Sequence, residues 1–202
     1  MGGKTSSTKL SSRIVRSIEA IGQVLARHPS KGMVIGGLAI IARGFERTTN
    51  DVDVTFSGAD VSIETLLGEL HSVGIEPRIS DAAEFAAANQ VLLVRHTASR
   101  VDLDVSRAWL SFELEAIARA EVTKIAGVSL PVARAEDLVI YKMIPWRPRD
   151  QQDVERMLLL HGATIDLSRV RRHVRELSEA IEADRLGELD TLVARLSKPA
   201  PR

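Results

Sequence analysis

The sequence predicts an α/β (α+β) fold: a small mixed β-sheet flanked by helices and followed by a C-terminal helical part. Three observations lead to this prediction. Short apolar segments bounded by Gly, Pro, Asn or Ser alternate with segments of helical periodicity as far as Val132. Two of the short segments alternate Val or Leu with Asp, as strands with one buried face do. From Ala135 onward only helical periodicity remains.

Each element is predicted from its local pattern. Residues 10–26 carry apolar side chains at helical spacing after two serines that can cap a helix. Residues 33–35 form an apolar strand that runs directly into Gly36-Gly37, and Ala126-Gly127 divides two strands of a hairpin. The predicted helices are 10–26, 38–45, 61–73, 82–88, 110–120, 135–144, 150–161, 168–182 and 185–196, and the predicted strands are 33–35, 51–56, 75–79, 91–94, 101–105, 122–125 and 128–132.

These elements divide the chain into a core, 10–133, and a C-terminal helical region, 134–197. The polar terminus 1–9 is expected to be disordered and the tail 198–202 to be frayed. No apolar run approaches the roughly 18 residues that cross a bilayer, and the N-terminus has no signal-peptide core. We therefore expect a cytoplasmic protein that has no membrane partner.

The composition excludes several function classes. Lys plus Arg number 27 and Asp plus Glu number 27, so no overall field draws the protein to nucleic acid, and a polyanion has to find a local patch. The absence of cysteine excludes a disulfide scaffold and a thiolate metal site. Aromatic residues are too few and too scattered for a base-stacking platform.

Two pairs of aspartates indicate a metal site. Asp51 and Asp53 share one face of a predicted strand, as Asp102 and Asp104 do on another. One such pair alone is common on the solvent-exposed face of an edge strand. A calcium-binding loop starting at Asp51 is excluded, because the position at which such a loop requires glycine is occupied by Phe56. Aspartate is a poor strand former, so two such strands need an explanation. If the strands are neighbours, three or four carboxylates converge, and magnesium suits such oxygen ligands better than zinc.

Gly36-Gly37 lies between a buried strand and a helix, where the backbone can approach an anion closely. The pair matches neither the Walker pattern nor the dinucleotide fingerprint, and a plain tight turn is the alternative interpretation. A single short helix separates it from Asp51, so the aspartates can fold back beside the loop.

Two stretches combine these features with further charged residues. The first contains Gly36-Gly37-Leu38-Ala39, Arg43-Gly44, Arg47-Thr48-Thr49 and Asp51-Val52-Asp53-Val54. The second contains Ala135-Glu136-Asp137-Leu138, Lys142, Arg149-Asp150 and Asp153. Together they resemble the nucleotidyltransferases of the DNA polymerase beta superfamily. Within it the chain is most similar to the AbiEii/MenT-like group of toxin–antitoxin and phage-defence systems.

The resemblance implies a magnesium-dependent nucleotidyltransferase that moves a nucleoside monophosphate from a nucleoside triphosphate, such as ATP, to an acceptor hydroxyl. Asp51, Asp53 and a third acid would bind two Mg²⁺ ions. In this family the third acid stands between two hydrophobic residues. Asp102 fits that pattern and is our choice for the third acid; Asp104 fits it equally and remains the alternative.

The resemblance also assigns the nucleotide-binding residues. Gly36 and Gly37 would hold the β- and γ-phosphates, with Arg47 and Thr49 as further contacts. Arg47 can equally pair with Asp51, and Thr49 can equally shape the turn into the strand. Many members of the superfamily have Gly-Ser where this chain has Gly36-Gly37, so a serine hydrogen bond to phosphate is missing here.

The second stretch supplies a cation and a base. Lys142 would neutralise the triphosphate, and Asp150 or Asp153 would take the proton of the acceptor. The alternatives are an ordinary exposed lysine, and aspartates in ion pairs with Arg149 or Arg156.

Three functions compete for this chain. The first is a toxin that modifies the tRNA 3′ end and is held by an antitoxin partner. The second is the same transfer to a protein or aminoglycoside hydroxyl, and the third is a catalytically idle nucleotide-binding or partner-binding domain. The four aspartates argue against the third. The predicted helix 168–182 carries a cluster of basic residues: Arg169, Arg171, Arg172, His173 and Arg175. This cluster could contact the phosphates of a tRNA, or it could simply form a solvent-exposed helix face.

Overall fold

The computed structural model describes residues 10–197. The predictions for 1–9 and 198–202 fall outside the described residues. The chain divides into two compact units, one up to Arg134 and one from Ala135. Within 10–197 every helix is too short or too polar to cross a membrane.

The first unit is built on a seven-stranded mixed sheet, which confirms the predicted fold class. Its strand order is β3-β4-β5-β2-β1-β7-β6. The pairs β2–β5 and β1–β7 are parallel, and the remaining neighbours are antiparallel. The elements are α1 (Ser12–Arg27), β1 (Gly32–Val34), α2 (Gly36–Ala42), β2 (Asp51–Ser57), α3 (Ile63–Ser72), β3 (Ile75–Pro77), α4 (Ala82–Asn89), β4 (Val91–His96), β5 (Val101–Ala108), α5 (Ser111–Ala118), β6 (Glu121–Ile125) and β7 (Val128–Val132).

Helix α1 closes one side of this core. Ser11 caps it by accepting a hydrogen bond from the Ile14 amide. Its buried stripe, which includes Ile18 and Ile21, packs against β7 and β2. The helix thereby begins beside the start of the two strands that carry the paired aspartates.

Strands β2 and β5 each bury their apolar residues on one face and carry their aspartates on the other. Val52 and Val54 have no exposed surface, so the intervening aspartates face the other side of the sheet. The two strands are parallel neighbours, and the register sets Asp53 opposite Asp104. The sequence analysis made the convergence of the carboxylates conditional on these two strands being neighbours, and the structure meets that condition.

The second unit contains the helices α6 (Ala135–Met143), α7 (Pro148–His161), α8 (Leu167–Ala180) and α9 (Arg185–Leu196), close to the predicted positions. Helix α6 packs against α7 and α8, and α9 packs against both α7 and α8. A buried ion pair between Asp137 on α6 and Arg169 on α8 lies inside this unit.

Candidate active site

The four aspartates form a two-by-two array on one face of the sheet. Asp51 is opposite Asp102 and Asp53 is opposite Asp104 in the register of β2 and β5. Residues in register on neighbouring strands lie roughly 5 Å apart, so the four carboxylates share one small area. Burial, with the negative charges of Asp51 and Asp102, raises the pKa of Asp104. A bound cation would relieve that repulsion.

Two arginines meet the β5 half of this array. Arg95 on β4 faces Asp102 across the antiparallel pair and donates to it from Nε (2.5 Å) and Nη2 (3.2 Å). Arg78 bridges the two acids, with Nη1 3.2 Å from Asp102 and Nη2 2.5 Å from Asp104. The Arg95 hydrogen bond is the main reason that the pKa of Asp102 is lowered. Asp102 is therefore compensated by two guanidinium groups and Asp104 by one.

Although the four carboxylates lie close together, their oxygens do not point toward one common position. Across residues 10–197, no three acidic, histidine or cysteine side chains are arranged to hold a metal ion. The contacts explain this: Asp51 accepts a hydrogen bond from the Thr49 hydroxyl (2.8 Å), and the two acids of β5 turn toward Arg78. The donor set itself, carboxylate oxygens without histidine or sulfur, is the set that magnesium prefers.

Gly36 lies directly against Asp53. Its φ of 62° is in the left-handed region, and an ideal Cβ placed on it would lie 2.6 Å from Asp53 Cγ and overlap the carboxylate oxygen. The Ile35 amide also donates to the Asp53 carbonyl (3.0 Å). The glycine is thus required by the close approach of its backbone to this aspartate.

Gly36→Ala is expected to lower the nucleotidyl transfer that the sequence resemblance implies about a hundredfold, because displacing a reacting group by about 1 Å costs that much. The assay is steady-state transfer with a melting curve of each variant. Gly68→Ala is the matched control: an added Cβ there meets nothing within 4 Å and Gly68 lies on an exposed face of α3. Equal activities of the two variants would show that the Gly36–Asp53 approach is irrelevant to the reaction.

Thr49 fills the space beside Gly37. A Cβ on Gly37 would lie 2.5 Å from Thr49 Oγ1 and 3.6 Å from a terminal nitrogen of Arg47. A serine cannot occupy position 37 without moving Thr49. The predicted nucleotide-binding residues Gly36, Gly37, Arg47 and Thr49 therefore lie together, next to Asp51 and Asp53.

Lys142 and Asp150 belong to the second unit, where the partly buried Lys142 pairs with the buried Asp150. Lys142 Nζ lies 2.9 Å from Asp150 Oδ1 and 3.6 Å from Asp153 Oδ2. Arg147 donates to Asp150 from Nε (2.8 Å) and from its amide (3.1 Å), so Asp150 also caps α7. Burial alone would raise the pKa of Asp150, but the hydrogen bonds from Arg147 and Lys142 lower it. Lys142 is thus only 15% exposed rather than an ordinary surface lysine, and Asp150 pairs with Lys142 and Arg147.

Two of the five basic residues of α8 differ from the sequence prediction. Arg169 and His173 are buried, 6% and 2% exposed, and Arg169 contacts both Asp137 and the His173 ring. Because Arg169 and His173 are buried, they can neither contact RNA phosphates nor belong to a solvent-exposed helix face. Their positions on α8 fall on the stripe that also buries Val170 and Val174.

Sequence reasoning missed Arg78 and Arg95. The signal for Arg95 was available: strands 91–94 and 101–105 are separated by a short polar turn, and pairing them as a hairpin sets Arg95 opposite Asp102. Arg78 follows the short edge strand β3, and no local pattern points it toward β5.

The family described as "Nucleotidyltransferase of unknown function (DUF6036)" matches residues 12–195. No curated protein matches the chain. The solved structures that share its fold include the following three. The crystal structure of ANT(2")-Ia in complex with adenylyl-2"-tobramycin has 17% identity and a TM-score of 0.54, and the match covers 83% of this chain and 98% of that one.

The solution structure of the antibiotic-resistance factor ANT(2'')-Ia has 18% identity and a TM-score of 0.54, with 92% and 100% of the two chains covered. An antigenic nucleotidyltransferase-like protein from Paracoccidioides brasiliensis has 15% identity and a TM-score of 0.52, with 92% and 94% covered. At these identities the structures establish a common fold.

Proposed function

This chain belongs to the DUF6036 family of nucleotidyltransferases, and we propose that it moves a nucleoside monophosphate from a nucleoside triphosphate to the 3′ hydroxyl of tRNA. The observation that carries the chemistry is the array of four aspartates with Gly36 packed against Asp53. In the reaction, the acceptor oxygen attacks the α-phosphorus, the bond from that phosphorus to the oxygen bridging to the β-phosphate breaks, and pyrophosphate leaves.

Nucleotidyltransferases use a nucleoside triphosphate and divalent metal ions. We propose two Mg²⁺ ions here, with Asp51 and Asp53 as ligands, since these carboxylates lie on the strand beside Gly36. Bound magnesium supplies charge neutralisation for the triphosphate and acidifies the acceptor hydroxyl.

For the third acid the contacts favour Asp104 over Asp102, which the sequence pattern alone had suggested. Asp104 lies opposite Asp53, and Asp102 is already compensated by both Arg95 and Arg78. The array retains a candidate third carboxylate in either case.

The residues proposed to bind the nucleoside triphosphate lie next to the proposed metal ligands. We propose that the backbone of Gly36 and Gly37, which carries no Cβ where it meets Asp53 and Thr49, contacts the β- and γ-phosphates, with Arg47 and Thr49 beside it. The core 10–133 would hold these groups. Within the helical region 134–197, Lys142 as the triphosphate cation and Asp150 or Asp153 as the base remain proposals, and a base role requires the Lys142–Asp150 pair to open.

The resemblance of the two sequence motifs to the AbiEii/MenT-like group supports the toxin role and an antitoxin partner. A reaction that uses tRNA and a nucleoside triphosphate would take place in the cytoplasm. The alternative acceptor is an aminoglycoside, supported by the fold shared with ANT(2")-Ia, whose complex contains adenylyl-2"-tobramycin. A protein hydroxyl is the remaining acceptor.

The test offers each acceptor in turn. The protein is incubated with magnesium and each α-labelled nucleoside triphosphate, together with total tRNA, lysate protein or tobramycin. We expect label on tRNA that is lost in Asp53→Ala. Label on protein or tobramycin alone would contradict the tRNA proposal and keep the transfer chemistry.

A further inference from the structure

A cavity of about 420 Å³ opens beside Asp51, where α1, β2 and β5 begin. It lies wholly within the first unit. Its lining combines three carboxylates with three guanidinium groups, from Asp51, Asp102, Asp104, Arg13, Arg78 and Arg100.

The charges of this cavity are unevenly paired. Arg78 contacts Asp102 and Asp104, and Arg95, from outside the lining, also contacts Asp102, so these two acids and two guanidinium groups balance in charge. The remaining charged groups are Arg13 and Arg100 against Asp51. The part of the cavity next to the start of α1 and β5 is therefore cationic.

Arg100 is held in a strained conformation at this edge. Its φ of 57° is left-handed, which is uncommon for a residue with a long side chain. Arg13 fixes the turn by donating from Nε to the Ser99 carbonyl (2.6 Å) and from Nη2 to the Arg100 carbonyl (3.0 Å).

The same turn is anchored from inside. The buried Ser99 hydroxyl lies 2.7 Å from the Ser17 hydroxyl and 2.8 Å from His96 Nδ1. The guanidinium of Arg100, by contrast, makes no hydrogen bond or ion pair with any residue of the described range 10–197. Strained residues that the surroundings fix in this way are concentrated at functional sites.

The sheet order places this cavity opposite the glycines. Strand β1, which leads into Gly36, lies on one side of β2, and β5 with the cavity lies on the other. In a displacement at phosphorus the attacking and leaving oxygens lie roughly in line, on opposite sides. If the triphosphate takes the Gly36 side, the acceptor approaches from the cavity.

We propose that this cavity is the acceptor subsite and that Arg100 binds a phosphate group that the acceptor carries near its hydroxyl, as the end of an RNA strand does. The inference rests on the proposed transfer reaction. Guanidinium binds phosphate through paired, charge-assisted hydrogen bonds. A polycationic amino sugar would instead place ammonium groups against Arg13 and Arg100.

The test measures binding without magnesium or nucleotide. A fluorescein-labelled single-stranded hexaribonucleotide with a free 3′ hydroxyl is titrated with protein, and anisotropy is followed over a range of salt. Arg100→Ala is expected to weaken binding about tenfold, since a charge-assisted hydrogen bond contributes at least that much. The slope of log K against log salt should fall by about 0.7, the value for one lost phosphate contact on a single strand.

Two variants serve as controls. Arg100→Lys keeps the charge and should keep the salt slope. Arg16→Ala removes the same charge from an exposed position of α1 outside the cavity and should bind RNA as the unaltered protein does. Equal RNA affinities for Arg100→Ala and Arg16→Ala would overturn the inference.

Two further outcomes separate this inference from the proposed function. Nucleotidyl transfer to tobramycin, together with tighter tobramycin binding by Arg100→Ala in calorimetry, would overturn the phosphate subsite and leave the transfer chemistry intact. Arg100-dependent RNA binding in a protein that transfers no nucleotide would support the phosphate site and contradict the proposed reaction.

Discussion

Asp53→Asn is expected to lower nucleotidyl transfer by about a thousandfold, or about 4 kcal/mol of transition-state stabilisation. The substitution keeps the size of the side chain and removes the negative charge from the carboxylate that Gly36 touches. A neutral amide is a poor ligand for a hard cation, so the loss should appear in kcat/KM at saturating magnesium. The measurement is labelled transfer to the identified acceptor, with melting curves to show that the fold is retained.

Asp60→Asn is the matched control for this variant. Asp60 makes an exposed ion pair with Lys31 (2.6 Å) in the same unit and lies outside the array. Its activity should stay within a factor of about three of the unaltered protein, because an exposed ion pair outside the array takes no part in binding the nucleotide or its metal ions. If Asp53→Asn and Asp60→Asn had the same activity, Asp53 would have no part in the reaction.

Arg169→Ala is expected to lower the free energy of unfolding by about 3–5 kcal/mol. Two nitrogens of Arg169 contact Asp137 Oδ1, at 2.9 and 3.3 Å, and neither side chain is more than 5% exposed. Removing the guanidinium leaves the buried carboxylate without this partner, which is costly in a low dielectric. Urea unfolding followed by circular dichroism measures the change.

Arg171→Ala tests whether burial is the cause. Arg171 is two residues away on α8 and pairs with Asp190 at 2.8 Å, but both side chains are at least 40% exposed. Its loss should cost about 0.2–1 kcal/mol. Equal destabilisation by the two variants would refute a special role for the Asp137–Arg169 pair.

Much of the fold was predictable because local patterns agree with it. Val and Asp alternate along β2 and β5, glycine or a polar turn ends most elements, and Ala126-Gly127 makes the hairpin β6–β7. Strand pairing is set by contacts distant in sequence, so the parallel pair of β2 and β5 could be stated only as a condition.

The candidate site was predictable in its types of residue and less so in its contacts. The aspartates and glycines of the first motif lie together in the core, as expected. The guanidinium groups of Arg78 and Arg95 reach the array from other strands, and Thr49 occupies the space beside Gly37. Such contacts depend on side-chain packing across the sheet, which periodicity alone does not describe.

Attack at the α-phosphorus distinguishes nucleotidyl transfer from phosphoryl transfer, and labelling the nucleoside triphosphate at two positions separates the two reactions. The protein is incubated with magnesium, tRNA and either α-labelled or γ-labelled nucleoside triphosphate, beside the Asp53→Asn variant. We predict that the α-label moves to the tRNA, that the γ-label leaves as pyrophosphate, and that both processes are lost in the variant. Transfer of the γ-label to the tRNA, or α-label transfer that persists in Asp53→Asn, would contradict the account.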